Sequence, residues 1–429
     1  MTNTLEHVEL SSQRWTTVQK ILFRFFFAYF ILYCFPFPFD AFEFTQPITK
    51  PFYDLLEWSI LKTARLFFGI EVSLINPFEK SWDDTANYVF IFSIFLLALL
   101  IVLLWSLADR RSINYEKLNR LFLLYLRLYL AFWMFSYGFH KLYPLQATLP
   151  VSTLELRHGM QTPSDSFWHF LGYSKPFIMF TGLGEVVGGL LLLHRKTTTL
   201  GAIILAGVMS VVVMINFCYG VPVKNFSSHL LLIAIILLWQ DRRRLANIFF
   251  LNKTATAVAY TPLINHGVWN KILQVSLFTL IGCMLYKHIN ENRDMWNEGI
   301  RRPRPLTGIY NTEFFIRGTD TLPPLQTESH RWKQVIIDRR YSSVKLSTDS
   351  IMHNNAVVDT VHRGIHFYFY KNEWSWEIID SVYMVYSMPD TNHLHLAGKW
   401  KNDSITVMMN KYDLNNYPLH RDKFQWIFE

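Results

Sequence analysis

The sequence predicts an α-helical integral membrane bundle of about seven transmembrane helices, followed by a C-terminal all-β antiparallel barrel or sandwich. Three observations carry this expectation. Apolar runs able to cross about 30 Å of hydrocarbon recur near residues 20–40, 87–108, 119–142, 176–193, 200–220, 226–240 and 268–287. Charged residues make up 17% of the 429-residue chain and hydrophobic ones 51%, whereas soluble domains carry about 25% charged residues. From about residue 308 the pattern changes to short β-type runs separated by turn signals.

Residues 1–19 read as a polar tail, and the first apolar run begins near Lys20. That run ends in Phe-Pro-Phe-Pro-Phe-Asp (Phe35 to Asp40) with no small-residue cleavage site, so an uncleaved transmembrane helix is expected rather than a signal peptide. Residues 20–118 then hold the first two helices and the loop between them. Within that loop Tyr53 to Ile70 mixes Leu, Trp, Ile and Phe with Asp54, Glu57, Lys62 and Arg65, the pattern of an amphipathic helix at the membrane interface or a re-entrant piece. Residues 119–240 hold helices three to six, the sixth reaching a spanning length only with its polar start at Lys224 to His229. Residues 241–290 hold a basic loop and the seventh helix, and 291–307, with Arg301-Arg302-Pro303-Arg304-Pro305, reads as a linker.

Orientation follows from the short basic loops. Arg110-Arg111 with Lys117 and Arg120, then Arg195-Lys196, then Arg242-Arg243-Arg244 follow helices two, four and six, and Arg14, Lys20 and Arg24 belong to the same side. The positive-inside rule places the N-terminus in the cytoplasm and everything after helix seven outside. The expected location is a bacterial cytoplasmic (inner) membrane, with lipid as the first partner and the 308–429 domain periplasmic.

That domain is read as runs Ile309–Arg317, Trp332–Asp338, Ser343–Leu346, Ile365–Tyr370, Trp374–Asp380, Val382–Met388, His393–Ala397, Ser404–Met409 and Phe424–Phe428. Turn signals at Arg317-Gly318-Thr319-Asp320, Lys371-Asn372-Glu373 and Lys401-Asn402-Asp403 separate them, which favours a meander closing into a small barrel or sandwich. With no cysteine in it, the domain must rest on an aromatic core. Its 13 Lys+Arg against 14 Asp+Glu give a balance of −1, so the chain's net +8 sits in membrane loops and does not indicate a nucleic-acid partner.

Cys34, Cys218 and Cys283 lie in apolar runs with no CxxC pair or zinc spacing, and read as small packing residues. His393 and His395 share one strand face, as would His362 and His366 if their segment were continuous. No carboxylate or cysteine completes a motif by sequence, so no metal is expected. No Ser-His-Asp arrangement, phosphate loop or dinucleotide fingerprint occurs.

One polar point stands out. Glu185 lies near the middle of the apolar segment 176–193, where an ionisable group is costly and normally faces a bundle interior with a partner. Gly182, Gly184, Gly188 and Gly189 around it allow close approach of another helix. On helix three, Arg127, Tyr137 and Lys141 fall along one stripe, since fourteen steps of 100° bring Lys141 within about 40° of Arg127; His140 adjoins them. An Arg127–Glu185 pair shared with Tyr137 is the expected way to satisfy both charges. Asn216, Asn225 and His229 extend the candidate cluster outward. Such a pair has two readings, a lock on helix register or a ligand and proton site.

Arg127-Leu-Tyr-Leu-Ala-Phe-Trp-Met-Phe-Ser-Tyr-Gly-Phe-His-Lys-Leu (Arg127 to Leu142) resembles the first helix of DoxX-like membrane proteins, and Gly184-Glu185-Val-Val-Gly-Gly-Leu-Leu-Leu-Leu resembles their second. The resemblance implies a DoxX-like four-helix core at 119–240, about a quarter of the chain. It implies a link to quinone-reducing thiosulfate oxidation or to oxidative-stress complexes, and so a quinone as candidate cofactor. The Phe139-His140-Lys141 ending is also similar to vitamin-K-carboxylase-type membrane domains, from which no catalysis is carried over. Gly308-Ile-Tyr310 and the repeated hairpins are similar to lipocalin or fatty-acid-binding barrels, which implies a lipophilic ligand. The sequence assigns no reaction. The function expected is a membrane protein that displays its β domain as an envelope anchor or assembly component with an envelope protein partner. The alternative is a quinone-linked redox subunit with a polar site around Glu185.

Overall fold

A computed structural model of the chain describes residues 14–72, 83–255, 267–302, 304–338, 342–371, 377–401 and 403–421. The chain divides into two compact units, residues 1–142 with 179–292, and residues 143–178 with 293–429.

The first unit is helical. Helix α1 (Thr17–Cys34) opens on a reciprocal capping box, Gln19 N–H donating to the Thr16 hydroxyl and Thr16 N–H to the Gln19 side chain. Helix α2 (Gln46–Thr63) buries Ile60, and Ala64 just beyond it, against Val89 of α3 (Thr85–Ala108), while Leu55 and Trp58 stay exposed. One packed face and one exposed apolar face fit the amphipathic helix expected there. The unit continues with α4 (Glu116–Leu142). The segment 143–178 includes α5 (Pro163–Tyr173) and leads into α6 (Lys175–Leu193). Then come α7 (Thr198–Cys218), α8 (Lys224–Gln240), the short α9 (Arg242–Phe249) and α10 (Gly267–Asp294).

Six helices among the described residues are long and apolar enough to cross a membrane, and the 17-residue α8 is a shorter apolar one. They correspond one to one with the seven expected runs. Asp83 ties down the start of α8 by accepting the Lys224 and Asn225 N–H groups (2.7 and 2.9 Å), donors that a helix N-terminus otherwise leaves unpaired.

The second unit contains a closed antiparallel barrel. Its strands are β1 (Gly308–Arg317), β2 (Asp320–Thr321), β3 (Trp332–Ile337), β4 (Ser342–Leu346), β5 (Ile351–Asp359), β6 (Gly364–Tyr370), β7 (Ile378–Ser387), β8 (His393–Trp400) and β9 (Asp403–Lys411). Each pairs with the next in a meander, except that β3 returns to β1 and the two-residue β2 hangs on the end of β1. Pairing of β1 with β9 closes eight strands into a ring.

Alternation sets the core: Ile365, Phe367 and Phe369 point inward from β6, and Ile405, Val407 and Met409 from β9. A bulge between Thr312 and Phe314 shifts the parity of β1, so Tyr310 and Phe315 both turn inward. A bulge between Trp332 and Gln334 does the same for Trp332 and Val335. Trp332 fills the centre, 5.9 Å from Phe367 and 5.6 Å from Trp400 by ring centroid. The inward-facing residues of these strands form one apolar core rich in aromatic rings.

Three strand expectations change. β5 was not expected, because Asn354 and Asn355 lower its strand propensity; Asn354 is nonetheless buried within it. The expected runs Trp374–Asp380 and Val382–Met388 meet in one strand, β7, continuous from Ile378 through Ser381 to Ser387, and Trp374 to Trp376 lie outside the described residues. The Phe424–Phe428 run lies outside the described residues. His362 sits in the β5–β6 turn, before β6 begins, and so does not share a strand face with His366.

Two hairpins carry the same device. Asp359 accepts the N–H groups of Val361 and His362 and the His362 ring nitrogen, and Asp390 accepts those of Asn392 and His393 and the His393 ring. The His362 ring bond, ahead of the backbone ones, holds the Asp359 carboxyl below the usual carboxylate range. At Asp390 the Asn392 N–H leads, with the His393 ring next. A carboxyl depressed in the folded state stabilises fully above its unfolded value, about 3.9, and that stabilisation is lost as pH falls through the folded value. The barrel's melting temperature is therefore expected to drop below about pH 4, with a shallower drop in the Asp359→Asn/Asp390→Asn protein. An unchanged acid slope, followed by tryptophan fluorescence of the full chain in detergent, would refute the assignment.

Candidate functional site

The helical unit is assembled around close backbone crossings. A Cβ on Gly182 would lie 2.7 Å from both the Gly138 carbonyl oxygen and the Lys141 Cβ, so α4 and α6 touch there through glycine. A second crossing joins α6 to α7, where a Cβ on Gly201 would meet the Gly188 carbonyl oxygen at 2.9 Å. Of the four glycines expected to admit a neighbour, Gly182, Gly188 and Gly189 do so, and Gly184 has an ordinary contact with Val208.

The first crossing fixes an antiparallel register, residue 138 against 182. Glu185 is then about 4.5 Å further along α6, whereas Arg127 is about 16 Å along α4 and level with residue 193. Helical side chains lean toward their own N-terminus. On antiparallel helices Lys141 and Glu185 therefore lean toward each other, and Arg127 leans away from Glu185.

The structure follows this geometry. Lys141 Nζ donates to Glu185 Oε1, both side chains being buried and Glu185 only 2% exposed. Arg127 instead donates to the carbonyls ending α6, to Leu192 through Nε (2.9 Å) and a terminal nitrogen (2.6 Å), and to Leu193 (3.2 Å). It supplies hydrogen bonds and positive charge to the end of a helix whose last turn holds no basic residue. The expected Arg127–Glu185 pair is thus replaced by two separate interactions. The second carboxylate oxygen of Glu185 is buried with no hydrogen-bond partner among the described residues.

The other candidates divide between seams. Tyr137 packs with Trp133 and Phe226, its ring centroid 6.1 Å from each. His140 is half-buried and bonds back to the Ser136 backbone. Asn216 donates to the Ser227 hydroxyl (2.9 Å), joining α7 to α8. His229 holds the Asn225 carbonyl with Nδ1 and the Tyr29 hydroxyl with Nε2, each at 2.7 Å, and stacks on Tyr33 at 4.1 Å, joining α8 to α1. Among the described residues no group of three or more His, Cys, Asp or Glu could hold a metal ion.

Sequence reasoning missed a second buried charge. Arg24, two turns into α1, is 5% exposed and donates to the Tyr115 hydroxyl, the Ser106 hydroxyl (2.8 Å) and the Asp109 carbonyl (2.8 Å). Tyr115 in turn donates to the Asp109 carboxylate (2.8 Å), and bonds from Ser112 and Tyr115 hold Asp109 down to about 2. The signal was available: one arginine flanked by phenylalanines inside the first apolar run. It was assigned to the basic tail, which topology already explained. His288 and Asn292 of α10 are also buried, and Asn292 donates to the His288 carbonyl (2.7 Å).

A buried ion pair is a poor source of net stability, but removing one partner strands a charge at about 3–5 kcal/mol. Lys141→Met and Glu185→Leu are each expected to lower the melting temperature of the purified protein sharply. The double variant, with apolar groups in both places, is expected to recover most of the loss. If the double variant melts as low as either single one, the two residues do not act as a pair.

Comparison with known proteins agrees with this helical core. The family model for DoxX matches residues 122–217, from within α4 to the end of α7. The chain is 37% identical over 123 residues to the "Uncharacterized protein YwoB" of Bacillus subtilis (strain 168), an alignment that covers 29% of this chain and 79% of that protein. No solved structure matches at a significant level. Taken with the arginine-bearing α4 and the glutamate-bearing α6, these matches show that the chain belongs to the DoxX family.

Proposed function

We propose that the protein is a membrane anchor that displays its barrel-containing unit outside the cytoplasmic membrane of a bacterium, as an attachment or assembly component for an envelope protein. One observation carries this reading. The connection 143–178 and the barrel form a single compact unit, Tyr417 donating to Glu155 and the Val151 N–H to the Asp338 carboxylate. They must therefore lie on the same side of a membrane. With seven crossings, the basic loops assign both segments to the outside.

The state of the candidate residues supports an anchoring role. Arg127, Asn216 and His229 are engaged in helix ends and helix seams, and the barrel interior is filled by its own side chains. What remains for a partner is outer barrel surface, where Val357, Val361 and Tyr383 are exposed. Photo-crosslinking residues at these three positions in the full chain, in intact producing cells, are expected to capture one envelope protein. The same adduct is expected with the Lys141→Met/Glu185→Leu background. Absence of any protein adduct at all three positions would sink the reading.

A quinone-linked redox subunit is the second reading, favoured by the unpaired, buried second oxygen of Glu185. A bound group that donates a hydrogen bond there would satisfy it. Protein purified from its membrane is then expected to release extractable quinone, in smaller amount from Glu185→Gln. No quinone on extraction, and no change in melting temperature with added decylubiquinone, would exclude this role.

A further inference from the structure

Within the second unit, the α4–α6 connection covers part of the outer barrel face and leaves a cleft of about 350 Å³ between the two. The barrel wall is a patch of three strands. Cross-strand pairing aligns Gln334 with Lys345, and Ser343 with His353, all on the outward side of strands whose Val335 and Val344 point inward. Gln334 and Ser343 are nonetheless only 8% exposed. The opposite wall includes Gln146 and Trp168.

The chemistry of these walls is specific. The amide oxygens of Gln146 and Gln334 are buried without a hydrogen-bond partner among the described residues, while the Gln334 amide nitrogen is used on Asn311 (2.9 Å). Buried acceptors of this kind call for donors. The acids in the lining are already engaged, Glu155 by Tyr417 and Asp165 in the capping box of Thr162. Lys345, the lysine in the lining, faces Asp349 at 3.4 Å, so the cleft has no surplus positive charge to select an anion. It offers amides, hydroxyls, two imidazoles and one indole, in a volume at the lower end of the ~300–1,000 Å³ range of small-molecule sites.

We propose that this cleft binds carbohydrate, one or two uncharged sugar rings. Sugar hydroxyls donate to Gln146 and Gln334 and exchange hydrogen bonds with Ser343 and His353, and the C–H face of a ring lies on Trp168. An indole suits this task because it is a broad apolar surface with a polar edge. The proposal goes beyond display of the barrel and names a ligand class for the unit displayed. The sugar can arrive free or as the headgroup of a glycolipid.

The test uses the full chain in lipid nanodiscs, with glucose, N-acetylglucosamine, cellobiose and chitobiose as probes. Saturation-transfer NMR is expected to show contact with the ring protons of at least one sugar. Trp168→Ala and Gln334→Leu are each expected to weaken binding about tenfold, the scale of one or two lost hydrogen bonds or a lost stacking contact. Ser343→Trp, which fills the cleft, is expected to abolish it, and an unchanged melting temperature shows that this protein is folded. In nanodiscs containing a monoglucosyl lipid, competition with the free sugar assigns a membrane-borne source and its absence a free one. Two results overturn the proposal: no transfer to any of the four sugars, or transfer undiminished in folded Ser343→Trp. Neither result touches the crosslinking test of display, so the two readings fail separately.

Discussion

The contact of Gly138 with Gly182 governs the helical unit. Two backbones meet where neither residue has a side chain, and the register of the antiparallel pair follows. Lys141 and Glu185 then lean into each other, and Arg127 comes level with the end of α6. In hydrocarbon these charges have no water to fall back on, so the register decides whether they are satisfied or stranded. The Gly188–Gly201 crossing passes the constraint on to α7, and Asn216 with Ser227 passes it to α8. The polar residues that drew attention as a possible reaction centre lie, for the most part, at contacts between helices.

Much of this was legible in the chain, and the misses have physical causes. Apolar run length located seven helices, because a membrane imposes one length scale on all of them. Glu185 announced itself as a buried carboxylate, and its glycine neighbours as a crossing. The partner was misassigned because angular position on α4 places Arg127 and Lys141 on one stripe. Only side-chain lean and axial register separate them, and register depends on which two glycines touch. Arg24 was hidden by a sufficient explanation of another kind, since a basic residue near a cytoplasmic end needs no partner by the charge rule. In the barrel, β5 was lost because Asn354 and Asn355 speak against a strand locally, while closure of the ring demands one there.

The barrel meets a different constraint, that of a small domain without disulfides. Its answer is density. Trp332, Tyr310, Phe315 and Phe367 are all fully enclosed, and two bulges re-aim strands so that both ends of β1 and β3 contribute inward. The outer face of the barrel carries the polar residues. There the α4–α6 connection converts part of a convex surface into a concave one.

Closure through β1 and β9 has a consequence for the birth of the protein. Synthesis delivers β1 early in the barrel, but its partner β9 ends at Lys411, the last strand residue among the described residues. Until that segment emerges, the growing sheet has two open edges, and sheets with open edges pair with whatever strand is near. The contact that seals the ring is also the longest-range one in it, which slows the final step. A chain interrupted before β9 would therefore be an open sheet of seven of the eight ring strands tethered to a membrane, with its aromatic interior exposed. The order of the strands makes the interval before β9 emerges the one in which the barrel is most prone to pair with other strands.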